Sequence, residues 1–331
     1  MSQRSDKAPV AVIGSGMIGR SWSIAFARAG HPVRLHDIEA DALAAAVTAI
    51  EADLRPLAEG GLLNGETTGA VGGRVRATAS LEEAVAGVVH VQENAPERAS
   101  LKRELFALLD ALAPPDATLA SSSSALLPSA FLDGIDGVTR CLVAHPLNPP
   151  HLVPAVELVP HPDTSPDAMA RAGRLFESIG QRPITLRREI EGFVMNRLQG
   201  ALLEEAFRLI EAGLVSAADI DTALKDGLGL RWSFMGPVET IDLNAPEGVG
   251  DFVMRYGDAY RSIAASAGER VHWEGEFAER LQRERRAELP KEALAARRDW
   301  RDRQLVALAV HKRRCEEEER TRSTREARER T

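Results

Sequence analysis

The sequence predicts an α/β protein in which a doubly wound, mostly parallel sheet is followed by an all-α helical domain. Three observations carry that expectation. Short β-branched runs alternate with alanine-rich helical stretches from Pro9 to about residue 186, the pattern of a parallel sheet covered on both faces. A glycine-rich turn, Gly14-Ser15-Gly16-Met17-Ile18-Gly19, lies between the first strand-like run and the first helical one. Beyond residue 190 the apolar residues recur at helical spacing and no confident strand follows.

The strands are expected at 10–13, 33–36, 75–77, 88–92, 118–120, 141–144, 156–159 and 183–186, with early helices at 19–29, 40–57 and 101–112. The later strands are separated by short loops rich in Pro and Ser, too tight for helical crossovers throughout, so part of the sheet is expected to be antiparallel. After Glu191-Gly192, the residues Val194, Leu198, Leu202, Ala206, Leu209 and Ile210 mark one face of a helix that Gly213 stops. Ser216 and Asp219 have the spacing of a capping pair for the next helix. Residues 313–331 hold almost no apolar side chain and read as a solvated helix or an unstructured tail. The expected organisation is a nucleotide-binding domain over 1–190, a helical domain over 191–312 and a charged tail over 313–331.

Composition excludes several classes of function. The chain of 331 residues carries 41 Lys+Arg against 49 Asp+Glu, a net charge of −8. Nucleic acid and anionic membrane both call for a basic face, so neither is an expected partner. Two cysteines, Cys141 and Cys315, make neither a disulfide framework nor a four-Cys zinc site. No cluster of His, Cys, Asp and Glu has ligand spacing, so no metal is expected. No apolar run reaches the roughly 18 residues of a membrane span, and the N-terminus lacks the apolar centre of a signal peptide. A cytoplasmic protein acting on a small molecule is the expectation.

The glycine turn names the cofactor. In a Rossmann-type loop, Gly14 permits the tight turn, Gly16 lets a pyrophosphate approach the backbone, and Gly19 lets helix and strand pack closely. Met17 and Ile18 open the helix, whose free N–H groups and positive dipole end suit phosphate. Asp37 closes the second strand-like run, at the distance from the loop where an acid accepts hydrogen bonds from the adenosine ribose and repels a 2′-phosphate. NAD is therefore expected rather than NADP.

Six motifs, in order, give the sequence a family resemblance: VIGSGMIGRSW at 12–22, VQENAPE at 91–97, LASSSSALLPS at 119–129, AHPLNPPHLVPAVELVPHP at 144–162, EGFVMNRLQ at 191–199 and GLGLRWSFMGPVET at 227–240. The chain resembles the 3-hydroxyacyl-CoA dehydrogenase family, and more closely its lambda-crystallin / L-gulonate 3-dehydrogenase branch, over both domains and short of the tail. The resemblance implies that His145 is a general base taking a hydroxyl proton as hydride leaves the same carbon, and that Glu157 orients and stabilises its imidazolium. It implies that Ser124 hydrogen-bonds the substrate oxygen, with Ser123 the alternative register in the serine run. Asn196 would hold His145 or the substrate, and Glu97 and Lys102 would contact the nicotinamide ribose. Ser122 stands where the family usually has Asn, at a nicotinamide-side position.

Arg231 lies in a stretch that is apolar in acyl-CoA dehydrogenases of this kind, and a guanidinium is suited to a two-point grip on a carboxylate. The implied activity is NAD-dependent oxidation of a small free 3-hydroxy acid, L-gulonate first. A 3-hydroxyacyl-CoA or carnitine is the alternative substrate, and a non-catalytic crystallin-like or NAD-sensing role stands third. The family also implies a homodimer through the helical domain.

Overall fold

The computed structural model describes residues 7–265 and 273–329. Eight strands form one sheet in the order β3-β2-β1-β4-β5-β6-β7-β8. They are β1 (Val10–Ile13), β2 (Val33–His36), β3 (Val75–Thr78), β4 (His90–Glu93), β5 (Thr118–Ser121), β6 (Cys141–Pro146), β7 (Ala155–Pro160) and β8 (Arg182–Thr185). Every neighbouring pair is parallel apart from β6 and β7, which run antiparallel. The expected mixed sheet is thus observed, with its antiparallel pair where the loops are shortest. The helices threaded through it are α1 (Met17–Arg28), α2 (Ala40–Glu59), α3 (Thr68–Gly72), α4 (Leu81–Val85), α5 (Ala99–Leu112), α6 (Pro128–Leu132) and α7 (Pro166–Ser178).

Alternation along the strands builds two cores, one on each face of the sheet. In β1, Val10 and Val12 enter one cluster and Ala11 and Ile13 the other. In β6, Leu142 and Ala144 face the first, while Cys141 and Val143 face the second. Because β1 is followed by β2 on one side and β4 lies on its other side, the chain reverses direction across the sheet there. The carboxyl ends of β1 and β4 therefore border the crevice in which open α/β sheets bind ligands.

The helical elements that follow are α8 (Met195–Glu211), α9 (Ala217–Thr222), α10 (Gly229–Trp232), α11 (Pro237–Asp242), α12 (Val249–Ala265), α13 (Gly275–Glu288) and α14 (Leu294–Glu329), with a π-helical stretch over Ala223–Leu228. Gly213 takes a left-handed φ of 67° just past α8. Ser216 and Asp219 form a reciprocal capping box on α9.

The chain divides into two compact units, Met1–Met195 together with Arg301–Thr331, and Asn196–Trp300. Within the second unit, Phe207 packs against Trp273 and Phe277 at ring separations of 4.8 and 5.3 Å, and Arg280 pairs with Glu211 at 2.5 Å. The stretch 313–331, set apart on composition as a tail, continues α14 as far as Glu329. That helix returns to the first unit. Val306, Ala309 and Val310 join the core on the α1/α2 face, and Arg313 donates to the Gly61 carbonyl at 3.0 Å. That apolar stripe lies just before the charged stretch, in residues expected to belong to the helical domain. No helix among the described residues is long and apolar enough to cross a membrane.

Candidate active site

The glycine loop meets the demands of a nucleotide. A Cβ on Gly14, whose φ is 94°, would lie 2.9 Å from the Asn94 backbone, and one on Gly19 would lie 1.9 Å from the Gly14 carbonyl oxygen. Both glycines are dictated by close packing. A Cβ on Gly16 would meet nothing within 4 Å, so its backbone faces open space that a pyrophosphate can enter. Gly16 is also the N-cap of α1, with no side-chain cap and no acid in the first turn, which leaves the helix end to an anion. Met17, the first helical residue, is half exposed, and Asn148 Nδ2 lies 3.2 Å from its Sδ. Ile18 packs on the core beneath.

Asp37 stands at the end of β2. Its Oδ2 accepts from both the N–H and the hydroxyl of Ser15, each at 2.7 Å, and its Oδ1 accepts from the Glu39 N–H at 3.1 Å. Partial burial works against its charge, but these three donors outweigh it and hold the carboxyl below its ordinary value. The residues present fit NAD: a bare backbone for the pyrophosphate and an ionised acid for the ribose.

The second constellation lies at the same carboxyl-terminal edge of the sheet. His145 and Glu157 face each other across the antiparallel β6–β7 pair. Nδ1 of His145 is 2.7 Å from Glu157 Oε2, and both side chains are buried. A carboxylate accepts, so Nδ1 carries a proton, and in the neutral ring it is Nε2 that holds the lone pair. Glu157 Oε1 accepts the N–H groups of Val194 and Met195 at 2.6 and 2.9 Å, the free donors at the start of α8. Burial opposes the charge on Glu157, while the His145 bond and these two N–H groups overcome it and lower its proton affinity.

The local chain path explains the aim of those donors. Gly192 and Phe193 take successive left-handed conformations, with φ of 75° and 50°. For a phenylalanine this costs about 1–2 kcal/mol, offset by complete burial of the ring. The Phe193 ring lies 5.6 Å from the His145 imidazole, centroid to centroid. Nothing in the sequence marks this turn beyond its glycine.

The serine run divides by depth. Ser123 is buried, and its hydroxyl donates to Glu97, whereas Ser124 is exposed on the turn after β5. Glu97 Oε1 also accepts the N–H groups of Ser124, Ala125 and Leu126 at 3.0–3.1 Å. Burial raises its proton affinity less than the Ser123 hydroxyl and the Ala125 and Leu126 N–H groups lower it. Glu97 thus braces the turn that carries Ser124.

Two residues expected at the cofactor have partners within the protein. The Lys102 ammonium is buried, 2.9 Å from each oxygen of Glu93, 3.2 Å from the Ala95 carbonyl and 3.3 Å from Ser121 Oγ. Its three N–H bonds face these four acceptors within the protein. Its partner Glu93 lies nine positions earlier on β4, so the pair is tertiary and not legible from local spacing. The Ser122 hydroxyl accepts from Trp22 Nε1 at 3.1 Å and Gln92 Nε2 at 2.7 Å, and donates to Asn94 Oδ1 at 2.7 Å. It ties α1 to the ends of β4 and β5. Glu93 was not singled out by sequence; it also accepts from Ser121 Oγ on β5, and Trp22 reaches Ser122 across 100 positions of chain. Asn196 and Arg231 belong to the second unit, the former in the first turn of α8 and the latter exposed in α10.

Residues 9–190 match the family model of the 3-hydroxyacyl-CoA dehydrogenase NAD binding domain, and residues 192–287 match that of the C-terminal domain. The chain belongs to the 3-hydroxyacyl-CoA dehydrogenase family. Within it, the bovine (Bos taurus) lambda-crystallin homolog is 45% identical over 318 residues, covering 93% of this chain and 98% of the relative. That similarity sets the chain in the lambda-crystallin branch. An L-carnitine dehydrogenase of Pseudomonas aeruginosa is 41% identical over 250 residues, covering 75% of this chain and 77% of its own. Among solved structures, the NAD+-dependent 5-formyl-3-hydroxy-2-methylpyridine 4-carboxylic acid 5-dehydrogenase superposes with a TM-score of 0.75 at 27% identity, over 91% of this chain and 97% of that one. As a member of this family the protein is an NAD-dependent oxidoreductase.

Proposed function

We propose that the protein oxidises the 3-hydroxyl of a small free 3-hydroxy acid with NAD+, L-gulonate to 3-dehydro-L-gulonate in the first instance, with His145 as general base. The observation that carries this reading is the buried His145–Glu157 pair, held at the sheet edge that also bears the glycine loop. NAD+ supplies the hydride acceptor. The substrate hydroxyl gives its proton to Nε2 of His145, the ring nitrogen that Glu157 leaves as an acceptor. The imidazolium so formed sits against an ionised carboxylate whose second oxygen is pinned by the Val194 and Met195 N–H groups, so the pair has no need to reorganise as charge develops. The family resemblance assigns the donor to the substrate oxygen to Ser124 and an amide contact to Asn196, and the guanidinium of Arg231 is suited to a grip on the acid's carboxylate.

The similarity to an L-carnitine dehydrogenase supports a second reading, in which the acid is carnitine. The similarity of a Gibberella moniliformis 3-hydroxyacyl-CoA dehydrogenase, 41% identical over 261 residues, supports a thioester substrate. A panel of L-gulonate, 3-hydroxybutyrate, carnitine and 3-hydroxybutyryl-CoA with NAD+, followed by NADH absorbance, separates them. The highest kcat/KM falls on L-gulonate, and a higher value on carnitine or the thioester overturns that choice. In the same assay Arg231→Ala raises KM for the free acid about tenfold, the cost of one charged grip of about 1.5 kcal/mol. An unchanged KM removes Arg231 from the site.

A homodimer through the helical unit belongs to the same proposal. Leu230, Trp232, Phe234, Val238, Val253 and Met254 are exposed there, Met254 at 83%, apolar side chains that a dimer interface would cover. Light scattering on a size-exclusion peak gives twice the 35.8 kDa chain mass; a monomer mass refutes the dimer.

A further inference from the structure

Asp37 is not held by its strand alone. We propose that Ser15, between the first two glycines, is a positioning residue that sets the preference for NAD over NADP by tethering the Asp37 carboxylate. Ser15 is 4% exposed, and both its backbone N–H and its Oγ lie 2.7 Å from Asp37 Oδ2. The Glu39 N–H occupies part of Oδ1 at 3.1 Å. A carboxylate offers about four lone-pair directions. Three are taken within the protein, and the one remaining is on Oδ1.

This arrangement has two effects on a nucleotide. A ribose hydroxyl meets a single fixed acceptor, Oδ1, instead of a carboxylate free to rotate at a strand end. A 2′-phosphate meets a charge that neither turns aside nor readily takes a proton, since the Ser15 and Glu39 donors favour the ionised form. Without the Ser15 hydroxyl, Oδ2 keeps one donor in place of two, and the acid gains the freedom to swing away from a phosphate. The hydroxyl therefore acts on the ratio of the two affinities, through Asp37, whereas a purely structural serine would act on both affinities alike.

Direct binding of NADH and NADPH, read by nucleotide fluorescence at fixed salt, tests this without turnover. Ser15→Ala weakens NADH binding about fivefold and lowers the NADH-over-NADPH ratio about tenfold, the size expected for one hydrogen bond to a charged group. In an Asp37→Ala background the same substitution leaves the ratio within about twofold, because the residue it acts through is gone. Ser15→Gly, which also keeps the N–H and drops the hydroxyl, repeats the result should the alanine variant fail to fold. Equal weakening of both nucleotides, or an undiminished effect in the Asp37→Ala background, overturns the proposal and makes Ser15 a brace of the loop.

Discussion

Substituting His145 by Gln lowers kcat about 10³-fold, within the range that a positioned general base contributes, while NADH binding stays within about twofold. The split is expected because the nucleotide groups, Gly14, Gly16, Gly19 and Asp37, lie on the β1–α1 loop and at the end of β2, apart from the imidazole on β6. Glu157→Gln is nearly as damaging, for a reason visible in its hydrogen bonds. All three of its partners, His145 Nδ1 and the Val194 and Met195 N–H groups, donate to it. An amide has one acceptor oxygen and one donor nitrogen. With its oxygen kept by the backbone, its NH₂ faces Nδ1 and drives the imidazole proton to Nε2, where the base has to be empty. We expect a loss of about 10²–10³ in kcat with little change in KM. Should both variants keep most of their turnover, His145 is not the base.

The second large effect is on stability in mild acid. His90 is wholly buried between Thr118 Oγ1 at 2.7 Å and Gln92 Oε1 at 3.1 Å, beside the Phe26 and Phe176 rings. Burial pushes its pKa from 6.5 down to about 4. Burial likewise pushes His151 down to about 3, with Arg28 adding to the effect. The unfolded chain takes up these protons near pH 6.5 and the folded chain does not, so stability is complete above pH 6.5 and falls as pH drops toward the folded values. At about pH 5 His90 alone accounts for a loss of about 2 kcal/mol at 1.36 kcal/mol per unit. His151, partly exposed, adds a smaller loss of the same sign. Below about pH 4.5 the depressed carboxyls of Glu157, Glu97 and Asp37 extend the decline, as their stabilising charge is lost on protonation. Urea midpoints at pH 7.5, 6 and 5 measure this, and His90→Gln flattens the slope even if it lowers every midpoint. A midpoint constant from pH 7.5 to 5, or an unchanged slope in the variant, contradicts the assignment.

Local signals carried much of this architecture. β1 and β2 coincide with the expected runs because both are continuous apolar or β-branched stretches with clear stops, and the Ser216–Asp219 box and the Gly213 stop depend on residues a few positions apart. His145 and Glu157 were legible as a pair through the family resemblance, and the antiparallel β6–β7 register is what sets them opposite each other. What stayed hidden depends on distant partners. The Lys102–Glu93 ion pair forms between a helix and the end of a strand, and the Ser122 hub joins residues from 22 to 122. The left-handed Phe193 was equally invisible, since no rule of residue type asks a phenylalanine to adopt that conformation.

The return of α14 bears on how the molecule is made. The first unit lacks part of its apolar cover until Val306 and its neighbours arrive, and the whole of Asn196–Trp300 is synthesised before they do. Domains commonly fold in order as they leave the ribosome, but here part of the cover of the nucleotide-binding unit comes from residues 306–310, beyond the second unit. During that interval the nascent chain carries an open apolar patch beside α2, and a chain cut before Val306 would keep that patch open for the life of the protein.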